Sequence, residues 1–157
     1  MDTKANVRLA LYEPDIALNT GAMIRTAACF GAHVDVIEPC GFPFSLGALK
    51  RSGMDYIDET DVTRHDDYDA FLETLNGRLI LLTTKARDPI YDWHAKPGDC
   101  LLMGRESAGV PEKVHKTADV RLTIPMRPSV RSLNVSVAAG IALSHVYHIS
   151  NSDRGLR

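Results

Sequence analysis

The sequence contains no long hydrophobic run. None of its apolar stretches approaches the roughly 18 residues needed to cross a bilayer. The first residues, MDTKANVRLALY, also lack the basic and then apolar order of a secretory signal. We therefore expect a protein that does not associate with membranes and that works in the cytoplasm.

Cysteine is scarce, and strong net charge of either sign is absent. The three cysteines, Cys29, Cys40 and Cys100, are odd in number, far apart and without any C-x-x-C spacing. This pattern argues against a disulfide framework or a cysteine-rich metal site, so we expect all three to be small buried residues. The 18 Lys and Arg residues against 20 Asp and Glu give a net charge of −2. Nucleic-acid binding would therefore need a local basic patch, or one shared between subunits.

No internal repeat, linker or low-complexity segment divides the chain. Its 157 residues, of which 45% are hydrophobic and 24% charged, have the size and composition of one globular domain. We place this domain at residues 1–150 and expect residues 151–157 to form a frayed tail.

Short apolar runs rich in β-branched residues recur along the chain, and each ends in turn residues, as buried strands do. The predicted strands are VRLALY, VDVIE, RLILLT, CLLM and VRLTI, which start at Val7, Val34, Arg78, Cys100 and Val120.

Helical segments alternate with these strands. The first, TGAMIRTAACFG, stops at Gly31, a good position for a left-handed cap, and DDYDAFLETLNG begins with an Asp cap and stops at Gly77. Pro111 opens the short helix PEKVHK, and a longer helix follows RSLN. This alternation predicts an α/β fold, a single-domain, mostly parallel sheet flanked by helices.

Ligands of such sheets bind at the carboxyl ends of the strands. The segments that follow the predicted strands hold most of the Gly, Pro, Asn and Arg residues, whereas the opposite ends are short. These segments are EPDIALNTG, EPCGFPFSLGALKRSG, TKARDP, GRESAGVP and PMRPSVRSLN. The functional face is therefore predicted at this edge of the sheet.

Several common site types do not fit these loops. GRESAG lacks the Lys-Ser/Thr pair of a P-loop, and EPDIALNTG lacks the glycine fingerprint of a dinucleotide-dependent oxidoreductase. His145 and His148 are three residues apart, but no third ligand accompanies them, so we expect no metal site. Glu106 lies between two glycines after a buried strand, and such a carboxylate usually has a partner.

Other polar residues have both a structural and a functional interpretation. Arg25 is either a solvated helix arginine or part of a site, and Asn19 is either a helix N-cap or part of a site. Ser132 could cap the last helix. Capping by Ser132 leaves unexplained why Asn134 and Ser136 lie in the first turns of an apolar helix, where they reduce helix propensity.

A stripe of small residues runs along the last helix. Ser136, Gly140 and Ser144 recur every four residues, which allows another helix to approach closely. We interpret the stripe as a packing surface, either within the domain or across a dimer.

As a set, these motifs resemble the SPOUT RNA methyltransferases. The segments N-T-G…R, RSGMDY, LLTTK, G-x-E-x-x-G and I-P-M…R-S-L-N occur in the order and spacing of that family, over residues 7 to about 150. Within it, the chain is similar to the small tRNA enzymes that methylate the ribose 2′-hydroxyl of the wobble nucleotide, a cytidine or a modified uridine.

The resemblance implies more than the patterns do. It implies a C-terminal trefoil knot, S-adenosylmethionine as methyl donor with no metal, a homodimer, and tRNA as partner. Carried onto this sequence, the cofactor-binding positions are Leu82, Gly104, Ile124 and Ser132. The catalytic positions are Arg25, Asn134, Ser132, Asn19 and Glu106.

The roles of the catalytic positions follow from their chemistry. Guanidinium stays protonated, so Arg25 is better suited to stabilise a developing alkoxide or hold the RNA backbone than to act as the base that the resemblance suggests. Asn134 would orient the hydroxyl or the donor, and Ser132 would contact the donor. Asn19 and Glu106 would fix Arg25 and the loop that contains Glu106.

The chain departs from the family pattern at three places where RNA could bind. Arg105 stands where relatives often have Pro, Val130 stands where a Ser commonly precedes R-S-L-N, and FSLGALKRSG is poorer in basic residues than its equivalents. A tRNA patch would combine Lys50, Arg51, Arg105, Arg127 and Arg131, across a dimer. The alternatives are ribosomal RNA as substrate, or a catalytically silent RNA-binding module on the same fold.

Overall fold

The computed structural model describes residues 7–51 and 62–152. In these residues six strands and five α-helices alternate along the chain. The strands are β1 (Arg8–Tyr12), β2 (His33–Ile37), β3 (Val62–His65), β4 (Leu79–Leu82), β5 (Cys100–Met103) and β6 (Val120–Leu122). The helices are α1 (Ala17–Phe30), α2 (Leu46–Arg51), α3 (Tyr68–Leu72), α4 (Glu112–Thr117) and α5 (Val135–Asn151).

The six strands form one parallel sheet in the order β3-β2-β1-β5-β4-β6. β1 lies near the centre, between β2 and β5, and its Leu9, Ala10 and Leu11 are buried. Such burial on both faces explains why the run is continuously apolar. The predicted parallel sheet is confirmed, and all five predicted runs form strands.

Two elements were not predicted. β3 has the sequence VTRH and lies at an edge of the sheet, where Thr63 and Arg64 are exposed, so no apolar run marks it. α2 lies within a segment expected to be a loop. It is a short helix with no buried residue, so it also lacks an apolar stripe.

The helix ends partly differ from the predictions. Gly31 is the left-handed cap of α1, as predicted, with φ of 66°. The interpretation of Asn19 as N-cap is wrong, because the helix begins earlier and Ile16 occupies that position. Asp67 caps α3 as predicted and accepts a bond from Ala70 N at 2.7 Å. α3 ends at Leu72, however, before Gly77.

The core lies on both faces of the sheet. On one face α1 and α5 pack against each other and against the strands, and Ile24 and Leu143 are fully buried there. On the other face Phe71 of α3 and Val114 of α4 cover a second apolar cluster. Cys100 is buried as predicted, whereas Cys29 is exposed, which contradicts its prediction. Cys29 lies on α1, which presents only one face to the core.

The loop after β4 contacts both sides of the chain at the end of β6. Thr83 N donates to Leu122 O at 2.8 Å on one side. On the other side Thr123 N donates to Asp88 O, and Ile90 N donates to Thr123 O, both at 2.8 Å. Residues 83–90 thus flank the chain where it leaves β6. The trefoil knot itself remains a prediction from the resemblance.

The last helix reaches Asn151, one residue beyond the predicted domain end. Residues 153–157 of the predicted tail and most of the RSGMDY motif lie outside the described residues. Within the described ranges, no helix is long and apolar enough to cross a membrane.

Candidate active site

The strand order reverses between β1 and β5, two adjacent parallel strands paired from Arg8↔Cys100 to Leu11↔Met103. Ligands of doubly wound sheets bind beyond the carboxyl ends of the strands at such a point. A cavity of about 410 Å³ lies there, enclosed by the segments that follow β1, β4, β5 and β6 and by the start of α5. Its volume lies in the usual range for a small-molecule site.

The cavity brings together seven of the eight predicted site residues. These are Asn19, Leu82, Gly104, Glu106, Ile124, Ser132 and Asn134. They come from five separate parts of the chain, which the fold brings to one cavity. Arg25 does not line the cavity.

Asn134 caps α5 and joins it to α1. Its Oδ1 accepts from Ser136 N at 2.8 Å, from Val137 N at 3.3 Å and from Ser136 Oγ at 2.5 Å. Its Nδ2 donates to Asn19 Oδ1 at 3.1 Å. The expectation that Asn134 lies inside the helix is therefore wrong, as is Ser132 as the cap. The side-chain amide of Asn134 satisfies the helix terminus and holds Asn19 at the cavity wall.

The loop after β5 is a closed turn. Arg105 and Gly109 exchange backbone hydrogen bonds at 3.2 and 2.8 Å, and Gly109 has φ of 65°. A Cβ on Gly104 would lie 3.1 Å from the backbone of Gly109. The two glycines therefore allow a tight turn that a pair of side chains would open.

Glu106 has the partner that was predicted for it. Asp15, in the loop after β1, donates its backbone N–H to Glu106 Oε2 at 3.0 Å. In return, Glu106 N donates to Asp15 Oδ1 at 3.2 Å. Ser107 Oγ also donates to Asp15 Oδ2. Asp15 was missed by the sequence analysis, although it lies in the polar loop EPDIALNTG.

The pKa values of the Asp15 and Glu106 carboxyl groups are shifted in opposite directions. Burial raises the pKa of Glu106 above its ordinary value, and the hydrogen bond to Asp15 raises it further. The hydrogen bonds from Glu106 and Ser107 lower the pKa of Asp15 to about 2. The two shifts favour a proton on Glu106 and a negative charge on Asp15.

Arg105 packs beside this pair. Its Nη1 lies 3.3 Å from Glu13 Oε2, and its Nε lies 3.9 Å from Asp15 Oδ2. Glu13 has φ of 39°, in the left-handed region. Two buried polar atoms here, Arg105 Nε and Glu106 Oε1, have no hydrogen-bond partner among the described residues. Unpaired buried atoms beside a cavity are available to a ligand.

The floor of the cavity is apolar. Leu82, Met103, Ile124, Leu133 and Ala138 line it, together with polar backbone of the surrounding loops. An apolar floor with a few polar groups at the rim suits a flat organic ligand.

Arg25 lies on α1, about 9 Å beyond Asn19 along the helix axis at 1.5 Å per residue. It is exposed, between the buried Ile24 and the partly buried Thr26. The structure thus places Arg25 on the same helix as Asn19 but outside the cavity.

A family model described as the SpoU rRNA Methylase family matches residues 6–144. The chain belongs to the SpoU methylase family. It is similar to a tRNA (cytidine(34)-2′-O)-methyltransferase of Beijerinckia indica, with 53% identity over 139 residues that make up 86% of each chain.

Solved structures show the same likeness. One, concerned with the 2-OH methylation of C/U34 on tRNA, has a TM-score of 0.86 and 39% identity, and the match covers 93% of this chain and 97% of the other. The SpoU methyltransferase AviRb from Streptomyces viridochromogenes, solved with AdoMet, shares the fold at 22% identity, with a TM-score of 0.81. That match covers 92% of this chain and 60% of AviRb. The six-stranded parallel sheet is thus the SPOUT fold.

In this SpoU methylase the predicted cationic residues differ in exposure. Lys50 and Arg51 end α2, and Arg127 and Arg131 follow β6, and all four are exposed. Arg105 is partly buried and lies between acidic side chains, so it suits a structural role better than an RNA contact.

The outer face of α5 is open in the single SpoU methylase chain. Gly140, Ser144, His145 and His148 border a shallow groove there, beside Tyr91. Gly140 also faces α1, because a Cβ on it would lie 3.7 Å from Thr26 Cγ2. The stripe therefore serves packing within the domain on one side, and none of the residues that the structure describes covers it on the other. Over the described residues, no group of three or more His, Cys, Asp or Glu side chains could hold a metal.

Proposed function

We propose that the protein is an S-adenosylmethionine-dependent tRNA methyltransferase that methylates the ribose 2′-hydroxyl of the wobble nucleotide, cytidine or modified uridine 34. The observation that carries this proposal is the cavity at the β1–β5 reversal, which collects seven of the eight residues expected for that reaction. The 53% identity to a cytidine(34) enzyme over most of both chains supports the substrate.

The cavity residues fit the proposed methyl donor. Leu82, Ile124 and Leu133 offer an apolar surface for an adenine ring, and the glycine turn at Gly104 leaves room for backbone contacts. The unpaired Glu106 Oε1 offers a polar contact at the rim. When bound, S-adenosylmethionine would supply a methyl group from its positively charged sulfur; transfer to the ribose oxygen would break the sulfur–methyl bond, leave S-adenosylhomocysteine and release the hydroxyl proton to water.

The residues of the chain position the reacting groups in this proposal. Asn134 and Asn19, joined by their side-chain amides, stand at the cavity wall where the ribose would enter. Ser132 lies on the same segment and would contact the donor. A ribose hydroxyl is a very weak acid, so the rate depends on placing its oxygen close to the methyl carbon and on stabilising the charge that develops on it.

Arg25 contributes from outside the cavity in this proposal. A guanidinium group is suited to bind phosphate and to stabilise negative charge rather than to act as a base. It would bind the phosphate next to the target ribose and stabilise negative charge on the oxygen. The exposed Lys50, Arg51, Arg127 and Arg131 would hold further phosphates of the tRNA.

The enzyme acts as a homodimer in the cytoplasm in this proposal. The open groove on α5 joins small residues to exposed apolar surface, since Val137 and Tyr91 are each about half exposed. An uncovered apolar helix face is typical of a subunit interface. A dimer would also combine the cationic residues of two chains, which a net charge of −2 per chain makes useful.

Replacing Ser144 with arginine should separate the subunits. Ser144 is exposed on α5 and borders the groove, so a long charged side chain would be buried without a partner in the interface. Sedimentation should give a wild-type mass twice the 17.3 kDa of one chain and a variant mass near that of one chain. Asp69→Arg on α3, at the other face of the sheet, should leave the mass unchanged. A wild-type protein that sediments as one chain would contradict the dimer.

The proposed activity is tested by transfer of labelled methyl from S-adenosylmethionine to unmodified tRNA. Label should appear in the ribose of nucleotide 34, and a tRNA carrying 2′-deoxycytidine at that position should accept none, because the acceptor oxygen is missing. Arg25→Ala should reduce transfer by about 100-fold, the scale of one electrostatic contact to a transition state, with donor binding unchanged because Arg25 lies outside the cavity.

Parallel measurements separate this proposal from its alternatives. Label in ribosomal RNA alone would keep the chemistry and change the substrate. Donor binding with no transfer to either RNA would contradict the assigned substrates, and absence of donor binding would overturn the methyltransferase itself.

A further inference from the structure

Two loops meet where the strand order reverses. The loop after β1 leads into α1, whose Asn19 lines the cavity, and the loop after β5 lines it with Gly104, Arg105 and Glu106. β1 and β5 are neighbours, so these loops leave the sheet side by side. Whatever joins them sets the separation of two walls of the cavity.

The join is a reciprocal set of bonds between Asp15 and the turn that contains Glu106. Each residue donates its backbone N–H to the other's carboxyl group, at 3.0 and 3.2 Å. Ser107 Oγ adds a third bond to Asp15. The two residues are 91 positions apart in the chain. Such paired bonds fix both the distance and the orientation of the two loops.

The surroundings keep Asp15 in place. A side chain on Gly41, in the loop after β2, would lie 2.6 Å from Asp15 Cβ, so that loop packs directly against Asp15. Gly41 N also donates to Pro14 O at 2.9 Å. Asp15 therefore packs against the loop after β2 and forms hydrogen bonds with the loop after β5.

We propose that Asp15 is a positioning residue for methyl transfer, which holds the Glu106 turn against the donor cavity through the reciprocal hydrogen bonds between the backbone N–H of each residue and the carboxyl group of the other. This inference rests on the proposed function. Asp15 does not line the cavity, so it acts through Glu106 rather than by touching the donor.

The Asp15–Glu106 contact should be sensitive to pH. Burial and the neighbouring Asp15 carboxyl group raise the pKa of Glu106 above its ordinary value. Once Glu106 ionises, two negative charges face each other and the contact between the two loops weakens. The other titratable or charged groups nearby are Glu13 from the β1 loop, Arg105 from the β5 loop and Cys40 from the β2 loop.

The test is binding of S-adenosylmethionine and S-adenosylhomocysteine by calorimetry, which needs no RNA. Asp15→Ala removes the acceptor of two hydrogen bonds and should weaken binding by about tenfold or more. Asp15→Asn keeps the shape and an acceptor for Glu106 N, so it should bind within about threefold of the wild type at neutral pH. Asp69→Ala, an exposed acid on α3, is the matched control.

The pH dependence of donor affinity distinguishes positioning by the Asp15–Glu106 pair from a general structural role. Between about pH 5 and pH 9, wild-type affinity should fall as pH rises through the raised pKa of Glu106. Asp15→Asn should show no such fall, because its amide can donate to an ionised Glu106. This comparison remains decisive even where Asp15→Ala fails to fold.

Two results would overturn the inference in different ways. Equal donor affinity for Asp15→Ala and wild type, with the same pH profile for Asp15→Asn, would show that the join does not position the cavity. Failure of the wild type to bind either ligand would remove the proposed function and the inference with it.

Discussion

Replacing Asn134 with alanine should reduce methyl transfer by about 100-fold or more while lowering the free energy of unfolding by only about 1 kcal/mol. The stability loss is that of a helix N-cap, since Asn134 Oδ1 accepts from Ser136 N and Val137 N. The activity loss is larger because the variant also releases Asn19, which loses its 3.1 Å bond at the cavity wall. Steady-state methyl transfer to tRNA and urea unfolding measure the two effects.

Asn134→Asp separates capping from catalysis. A carboxylate caps a helix as well as an amide does, so this variant should unfold like the wild type. It cannot donate to Asn19 Oδ1, so Asn19 must reverse its side-chain amide to stay bonded, and a negative charge then stands at the cavity wall. We therefore expect activity as low as that of the alanine variant with stability retained.

The matched control is Asp67→Ala, which removes the N-cap of α3. Asp67 accepts from Ala70 N at 2.7 Å, and α3 lies on the other face of the sheet. The Asp67→Ala variant should lose a similar amount of stability and keep full methyl-transfer activity. If Asn134→Asp were fully active, Asn134 would be only a helix cap and the site assignment would be wrong.

The fold could be predicted largely because its strands are buried on both faces. Runs such as CLLM have no solvent-facing residue in the structure, so hydrophobicity alone marks them. β3 was not predicted, because Thr63 and Arg64 of this edge strand are exposed and the strand has no continuous apolar run. Local pattern also marked Gly31 and Asp67 as caps, because a cap depends on residues next to it in sequence.

The site could be predicted only in part. Motif resemblance identified the cavity residues, but their contacts depend on pairs far apart in the chain. The bonds between Asp15 and Glu106 join residues 91 positions apart, and that between Asn134 and Asn19 joins residues 115 apart. No periodicity carries such information, so Asp15 was missed. The length of the polar stretch before α5 is explained by its position, because Ser132 to Asn134 line the cavity while Asn134 also caps the helix.

A second polar network lies outside the active site, around Asp35. Asp35 in the middle of β2 is fully buried, and Arg8 Nε and Nη2 each donate to it at 2.8 Å. His65 Nε2 lies 2.7 Å from the same carboxylate. Arg8 extends the network to Thr74, whose backbone oxygen and hydroxyl each accept from it at 3.0 Å. The network thus ties β1, β2 and β3 to the end of α3.

Replacing Asp35 with alanine should lower the free energy of unfolding by about 3–5 kcal/mol, because it leaves Arg8 and His65 without their buried acceptor. None of these side chains lines the cavity, so donor affinity of the folded fraction should be unchanged. Urea unfolding at neutral pH measures the loss. Asp69→Ala, whose carboxylate forms an exposed pair with Lys113, should cost less than about 1 kcal/mol.

Lowering the pH should reduce the difference in the free energy of unfolding between the wild type and Asp35→Ala. Burial alone would raise the pKa of Asp35, but hydrogen bonds from His33, Arg8 and His65 outweigh it and hold the pKa well below its ordinary value. A carboxyl group with a lowered folded-state pKa stabilises the fold above its unfolded pKa, near 3.9, and loses that contribution as pH falls toward the folded value. The wild type should therefore lose more stability than Asp35→Ala between pH values of about 5 and 3. Equal losses in the two proteins would mean that the charge on Asp35 does not stabilise the fold, and that only the packing of its side chain does.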